Sequence, residues 1–253
     1  MNLAAPAPDV SEDMLLGGAL RLRQPRNGYR VAIDPVLLAA SLPATAADTV
    51  LDIGCGVGAA SLCLAARVPA CRIVGIDRQR DLVRLASDNI ILNDLGTRVT
   101  AMAGDLLHPP PRLEPGAFTH VMANPPFLEA GKASPSPHAG KAEAAIEGEA
   151  DLTAWVRFAL AMASSRGVIT FIHRADRLAQ LLAEFAGRAG DIVVFPLWAG
   201  AAKPAKRIIF QARKGSAAPL RIMPGLVLHE ADGRNTDAAE AILRRGDALV
   251  LAP

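Results

Sequence analysis

Thr49-Val50-Leu51-Asp52-Ile53-Gly54-Cys55-Gly56-Val57-Gly58 is the stretch on which the fold turns. Its first half is a run of β-branched and apolar residues around one acid, the pattern of a short strand buried on both faces. Its second half is a glycine-spaced turn leading into an Ala/Leu-rich stretch that reads as helix to about Val68. A buried strand, a tight glycine loop and a helix make the opening unit of a parallel α/β sheet.

The alternation continues outward from this unit. Residues 72–76, 98–103, 118–123, 167–172 and 191–196 read as strands, and 79–93, 151–164 and 174–188 as helices. Residues 206–212 and 226–230 read as further strands, and 236–245 as a short helix. Such alternation predicts a mostly parallel sheet with helices on both faces. Upstream, residues 1–13 read as a flexible tail. Residues 14–48 read as a hairpin with its turn at Asn27-Gly28, followed by a helix with Asp34 as N-cap and Pro35 in its first turn. Residues 49–253 form the main domain. Leu128 to Ala150 is rich in Gly, Ser and Pro and has no strand pattern, a lid-like loop longer than ordinary connections.

Composition bounds the function. The 253 residues are 51% hydrophobic and 21% charged, which supports a sizeable core and excludes disorder for most of the chain. The net charge of +2 permits a nucleic-acid partner without demanding one. Aromatic residues are only 4%, too few for a stacking platform along single-stranded RNA. The N-terminus lacks a basic region, and no apolar run approaches the roughly 18 residues of a membrane span. Cys55, Cys63 and Cys71 stand at no metal-ligand spacing. A cytoplasmic protein with no metal and no membrane partner is expected.

In an open α/β sheet, ligands bind beyond the carboxyl ends of the strands. Gly54, Gly56 and Gly58 lie there, at a helix N-terminus whose amides favour negative charge. Asp77 ends the next strand and is placed for ribose hydroxyls. Gly54-x-Gly56-x-x-Ala59 also satisfies the dinucleotide fingerprint. Against that, Asp52 would repel a pyrophosphate and would welcome an ammonium, so the loop suits a cofactor with a nucleoside, a carboxylate and an ammonium. Asp105, in Ala103-Gly104-Asp105-Leu106, follows the third strand and can accept from an adenine amino group.

Asn124-Pro125-Pro126-Phe127 closes the fourth strand. The prolines remove amide donors and hold the residue before each in an extended conformation. The Asn124 side-chain oxygen and the Pro125 carbonyl can then converge on one spot, which fits a planar –NH2 group. Accepting from both N–H bonds draws such a nitrogen towards sp3 geometry and frees its lone pair for attack. Phe127 can stack on the target's flat face.

Together Asp52–Gly58, Asp77, Asp105 and Asn124–Phe127 resemble the class I S-adenosylmethionine-dependent methyltransferases that modify planar exocyclic nitrogens. Within them the chain is similar to the bacterial tRNA1(Val) adenine-N6 methyltransferase family. Gln24–Arg30 running into Ile33–Leu38, Lys206–Phe210 and Leu226–Glu230 carry that closer likeness, over roughly residues 14–250. Phe127 stands where that family commonly has tyrosine. The resemblance implies a Rossmann-like, mostly parallel seven-stranded sheet with a C-terminal antiparallel hairpin. It implies S-adenosylmethionine as cofactor, with Asp77 at the ribose, Asp105 and Leu106 at the adenine, and Asp52 with the glycine loop at the methionine half. Asp34 would lie in a segment closing over the cofactor. The target would be the adenosine 3′ of the anticodon, flipped out of the tRNA anticodon loop. Phosphates would need a basic rim, for which Arg26, Arg30, Lys203, Lys206 and Arg207 are candidates, with Arg21, Arg23 and Arg213 nearby. His173, next to Arg174, reads as a helix-entry residue rather than a catalyst. Two alternatives stay open: the same reaction on a protein glutamine amide or an rRNA guanine N2, and a non-catalytic nucleotide- or RNA-binding module.

Overall fold

The computed structural model describes residues 9–27, 30–126 and 150–252. A hairpin of β1 (Val10–Leu15) and β2 (Leu20–Pro25) precedes α1 (Asp34–Ser41). The alternating series follows: β3 (Thr49–Ile53), α2 (Ala59–Arg67), β4 (Arg72–Asp77), α3 (Arg80–Leu92), β5 (Val99–Ala103) and β6 (Phe118–Ala123). Then come α4 (Leu152–Met162), β7 (Ala163–Arg174), α5 (Leu178–Phe185), β8 (Ala189–Trp198) and β9 (Arg207–Lys214). Two-residue strands β10 (Arg221–Ile222) and β11 (Leu226–Val227) and helix α6 (Asp237–Arg245) complete the chain.

Seven strands form the expected sheet in the order β8-β9-β7-β6-β3-β4-β5. Pairing is parallel from β7 through β6, β3 and β4 to β5, while β9 runs against both β7 and β8. β10 and β11 add parallel to β8, so the described sheet has nine strands rather than seven.

Alternating side chains separate two cores, as the period of two requires. Val50, Ile73, Met122, Ile172 and Ile209 face one core with α1, α2 and α6. Leu51, Ile76, Val121, Phe171 and Phe210 face the other with α4 and α5. Covering both faces is what permits so long a parallel ladder. No helix among the described residues is long and apolar enough to cross a membrane.

The N-terminal region differs from expectation. β1 begins at Val10, inside the segment read as loose, because its acids offered no strand signal. The chain reverses at Leu16–Gly18, where Leu16, Gly17 and Gly18 all have positive φ, and not at Asn27-Gly28. Gly28, Phe127 and all of 128–149 lie outside the described residues. Asp34 is the first residue of α1 and makes no cap bond, because its carboxylate is held by Arg207 instead.

The hairpin is fastened by two asparagines one turn apart on α3. Asn89 accepts from the Arg23 amide at 2.7 Å and donates to the Arg23 carbonyl at 2.8 Å. Asn93 does the same with Arg21, at 2.9 and 2.7 Å. Two side-chain amides thus imitate a neighbouring strand. Asn89 is fully buried and also donates to the Val57 carbonyl at 3.0 Å, which ties the hairpin to the glycine loop. Asn89→Ala orphans these backbone groups, with an expected cost on the order of 3 kcal/mol. Urea denaturation should show that loss, and hydrogen exchange should show the Arg21 and Arg23 amides opening more readily than those of β3.

Candidate active site

The parallel register sets the site. Ile53 lies beside Ile76 on one side and Ala123 on the other, and Asp77 lies beside Ala103. The residues that follow, Asn124, Gly54, Gln79 with its turn, and Asp105, therefore leave four adjacent strand ends in a row. At about 4.8 Å per strand the row spans roughly 15 Å.

Gly54 and Gly56 shape the loop, with φ of +68° and +55°. A Cβ on Gly54 would come within 2.5 Å of Cη2 of Trp155, an α4 residue packed beneath it. A Cβ on Gly56 would meet nothing within 4 Å, so this side of the loop faces open space where a ligand's approach is unhindered. Gly58 is the residue preceding α2 and turns the chain into that helix.

Backbone and side chain fix the loop to β4. The Cys55 amide donates to the Ile76 carbonyl at 2.9 Å, and the Gly56 amide to Asp77 Oδ2 at 3.0 Å. Asp77 Oδ1 accepts from the Gln79 amide at 2.8 Å. A carboxylate has about four lone-pair positions, so Asp77 retains capacity for a ligand hydroxyl. Burial raises its pKa, against the pull of those two amides.

Asp52 is turned inward beneath the loop and accepts from Ser61 Oγ at 2.7 Å. Burial pushes its carboxyl up to about 6, opposed by the Ser61 bonds and reinforced by the Asp77 charge. Asp105 lies farther out. It accepts from the Leu107 amide at 2.9 Å, and its other oxygen stands 3.6 Å from His108 Nδ1. Leu106 is half-buried against the second core.

Asn124 holds the other end of the row. Its Oδ1 is buried and has no hydrogen-bond partner among the described residues. Buried acceptors are rarely left so, and each calls for a donor. Pro125 is buried beside it. Phe127 lies outside the described residues.

Other expected residues divide. Asp34 pairs with Arg207 at 3.2 Å, which brings the start of α1 to the carboxyl end of the sheet but engages Arg207 in holding it there. Arg26 pairs with Asp9 at 2.9 Å, and Arg30 with Asp13 at 2.7 Å and Ser11 Oγ at 2.8 Å. Arg21 and Arg23 both pair with Glu12. Lys203 and Lys206 are exposed. His173 is fully buried, its Nδ1 accepting from the Arg174 amide, and burial with the nearby Arg177, Arg207 and Arg174 charges lowers its pKa to about 4. It is thus neutral at physiological pH. No group of three or more His, Cys, Asp or Glu able to hold a metal occurs among the described residues.

Ser61, Asn89 and Trp155 were not anticipated. Asn89 left one signal: an asparagine in a helix interior at helical spacing from Leu85, Ala86 and Leu92, where it is a poor helix former. Ser61 and Trp155 left none.

Residues 30–140, which include the glycine loop, Asp77, Asp105 and Asn124, match the family model described as methyltransferase small domain. The fold agrees. A predicted O-methyltransferase from Agrobacterium tumefaciens superposes with a TM-score of 0.71 at 23% identity, over 86% of this chain and 98% of that one. The Pyrococcus horikoshii protein TYW2, in complex with MeSAdo, superposes with a TM-score of 0.55 at 12% identity, over 83% and 73%. Both likenesses show a Rossmann-like methyltransferase fold. Proteins named tRNA1(Val) (adenine(37)-N6)-methyltransferase are similar in sequence to part of the chain. The one from Vibrio cholerae is 30% identical over 105 residues, 42% of each chain. The one from Aeromonas hydrophila is 33% identical over 113 residues, 44% of this chain and 46% of the relative. The match thus spans less than half the length of either relative.

The site carries its electrostatic strain at Asp52. Because the folded protein holds this proton more tightly than the unfolded chain, the group's contribution falls as pH rises from about 4 to about 6 and stays low above that. The difference is on the order of 3 kcal/mol. Asp52→Asn should therefore gain stability relative to the parent between pH 4 and pH 8, measured as the change in urea unfolding free energy. An unchanged difference across that range would contradict the buried charge. Gly54→Ala, by contrast, should destabilise at every pH, since its Cβ meets the Trp155 ring.

Proposed function

We propose that the protein is an S-adenosylmethionine-dependent methyltransferase acting on N6 of the adenosine 3′ of the anticodon in tRNA. The observation that carries this reading is the buried, unsatisfied Asn124 Oδ1 at the end of β6, in register with the glycine loop. An acceptor in that position calls for a donor from the substrate, and an exocyclic amine supplies one.

The residues fit the cofactor. The open side of Gly56 admits a ligand against loop amides, and the spare lone pairs of Asp77 suit ribose hydroxyls. Asp105 and the amide of Leu106 are placed for an adenine edge. Asp52 lies under the loop, so its charge serves the ammonium of the methionine half through the field beneath the turn and through Ser61, not by an exposed carboxylate. The cofactor supplies an electrophilic methyl group on a sulfonium.

On this reading Asn124 Oδ1 and the Pro125 carbonyl accept the two N–H bonds of the target and hold its lone pair along the line of attack. The cofactor, held by the glycine loop, Asp77 and Asp105, would supply the methyl group that this lone pair accepts. The methylated nitrogen is cationic and acidic, so its proton leaves to water without a strong base. His173, buried and neutral beside the turn, is not required for that transfer. Phe127 stacks on the flipped base. The names of the sequence relatives support the choice of acceptor, and a reducing, cytoplasmic setting suits the three free cysteines.

The name of the Agrobacterium neighbour raises oxygen as an acceptor. A hydroxyl offers a single donor, whereas the Asn124–Pro125 turn presents two acceptors, which favours –NH2. Incubation with methyl-labelled cofactor and tRNA from cells lacking the gene should place label in N6-methyladenosine on nuclease digestion. Label in protein glutamine, in rRNA or on a ribose oxygen would overturn the assignment. Asn124→Ala should lower kcat by about a hundredfold or more while leaving the Kd for S-adenosylhomocysteine within about twofold. That Kd should itself weaken about tenfold per pH unit below 6, because an ammonium prefers ionised Asp52.

A further inference from the structure

Two groups of basic residues flank the site, and they differ in their surroundings. The arginines of the N-terminal hairpin each meet a carboxylate of the neighbouring strand or its lead: Arg26 with Asp9, Arg21 and Arg23 with Glu12, Arg30 with Asp13. A phosphate approaching these guanidiniums would meet an acid within hydrogen-bonding distance of every one.

The other group lies where the sheet turns antiparallel. Ala123 pairs with Phe171, so Asn124 is level with Ile172, and β7 continues two residues past it to Arg174. Arg174 is opposite Arg207 at the start of β9, and the Ala175 amide donates to the Lys206 carbonyl at 3.1 Å. The β8–β9 connection, with Lys203 and Lys206, emerges at the same end because β8 runs parallel to β7 through their shared partner. Arg177 follows on the turn after β7 and bonds Gln180. Here Asp176 pairs with Arg174 and Asp34 with Arg207. Lys203 and Lys206 are exposed and have no carboxylate partner among the described residues.

We infer that the RNA backbone crosses this end of the sheet, its phosphates against Lys203 and Lys206 with Arg174 and Arg177 beside them, and that the hairpin arginines lie outside the footprint. The inference rests on the tRNA reading above and names the surface that reading needs. The local field supports it. After burial, the positive charges of Arg177, Arg207 and Arg174 are what disfavour a proton on His173, and Asp176 does not cancel them. A strand held here would place an unpaired nucleotide one strand away from Asn124, within reach of the pocket without crossing the ion-paired hairpin. Lys203 and Lys206 add exposed, flexible cations of the kind that bind phosphate without reading sequence.

The test uses full-length protein and tRNA from cells lacking the gene. The double substitution Lys203→Glu with Lys206→Glu should raise the tRNA Kd and KM by about tenfold or more, with kcat little changed. It should also flatten the slope of log Kd against log salt by about one to two, and leave the Kd for S-adenosylhomocysteine as it was. Arg177→Ala should move the tRNA Kd and salt slope the same way by a smaller step. The control, Arg72→Glu with Arg157→Glu, makes the same charge change at exposed positions on β4's amino end and on α4. Equal weakening by test and control pairs, or none by the test pair, would overturn the surface while methylation by the parent protein leaves the function standing. No methylation of tRNA by the parent protein would overturn both.

Discussion

β3 is held in a parallel ladder on both edges, and both of its faces are covered. Slipping it by one residue would carry Leu51 and Ile53 out of one core and drive Asp52 into it. That penalty, a buried charge against aliphatic side chains, is many times the value of a ladder hydrogen bond. The register is therefore fixed, and with it the alignment of Ile53 with Ile76 and Ala123. The glycine loop, Asp77 and Asn124 each follow one of those three residues within a turn. The glycine loop, Asp77 and Asn124 are brought together by strand pairing alone, before any side chain in the site makes a contact.

What then holds the loop is a set of buried polar groups. Asp77 fixes Gly56 from one side, Asn89 fixes Val57 from the other, and Asp52 with Ser61 anchors the helix that follows. The loop is thus fastened by side chains from β4, α3 and β3, while Gly56 itself stays open. A site built this way is preorganised: the loop is already held in one conformation when a ligand arrives, and little reorganisation is left to oppose binding. The link through Asn89 also means that the hairpin and the loop cannot loosen independently.

The alternation of strand and helix, the loop and the Asn-Pro-Pro turn were legible because each is written locally, in residues a few positions apart. The nine-strand extent was less so, since β10 and β11 have two residues each and owe their pairing to β8. The fastening of β2 to α3 was invisible. It joins Arg23 to Asn89 and Arg21 to Asn93 across more than sixty residues, and no period records a side-chain amide standing in for a strand. The ion pair of Asp34 with Arg207 spans 173 residues. Read locally, Asp34 before a proline is a helix cap. Its tertiary partner instead makes it the strut that brings α1 to the catalytic end. The ion pairs of the hairpin arginines were equally hidden, because the acids of β1 lie on a strand whose composition concealed it.

Asp52 and Asp77 together set the energetic character of the site. Both are buried, burial raises the proton affinity of each, and the Asp77 charge raises that of Asp52 further, while the Arg78 charge offsets only part of the effect on Asp77. Such an arrangement lowers the stability of the fold at neutral pH, and it persists only where something is gained from the charge. A ligand carrying a positive centre relieves the repulsion that a neutral or anionic ligand would leave or worsen. The amino end of α2, just past the loop, meanwhile favours a carboxylate. A zwitterionic amino-acid arm satisfies both demands at once, whereas a pyrophosphate meets the amides and collides with the field of the two acids. The discrimination between two ligands that share a glycine fingerprint therefore lies beneath the loop, in carboxylates no ligand need touch.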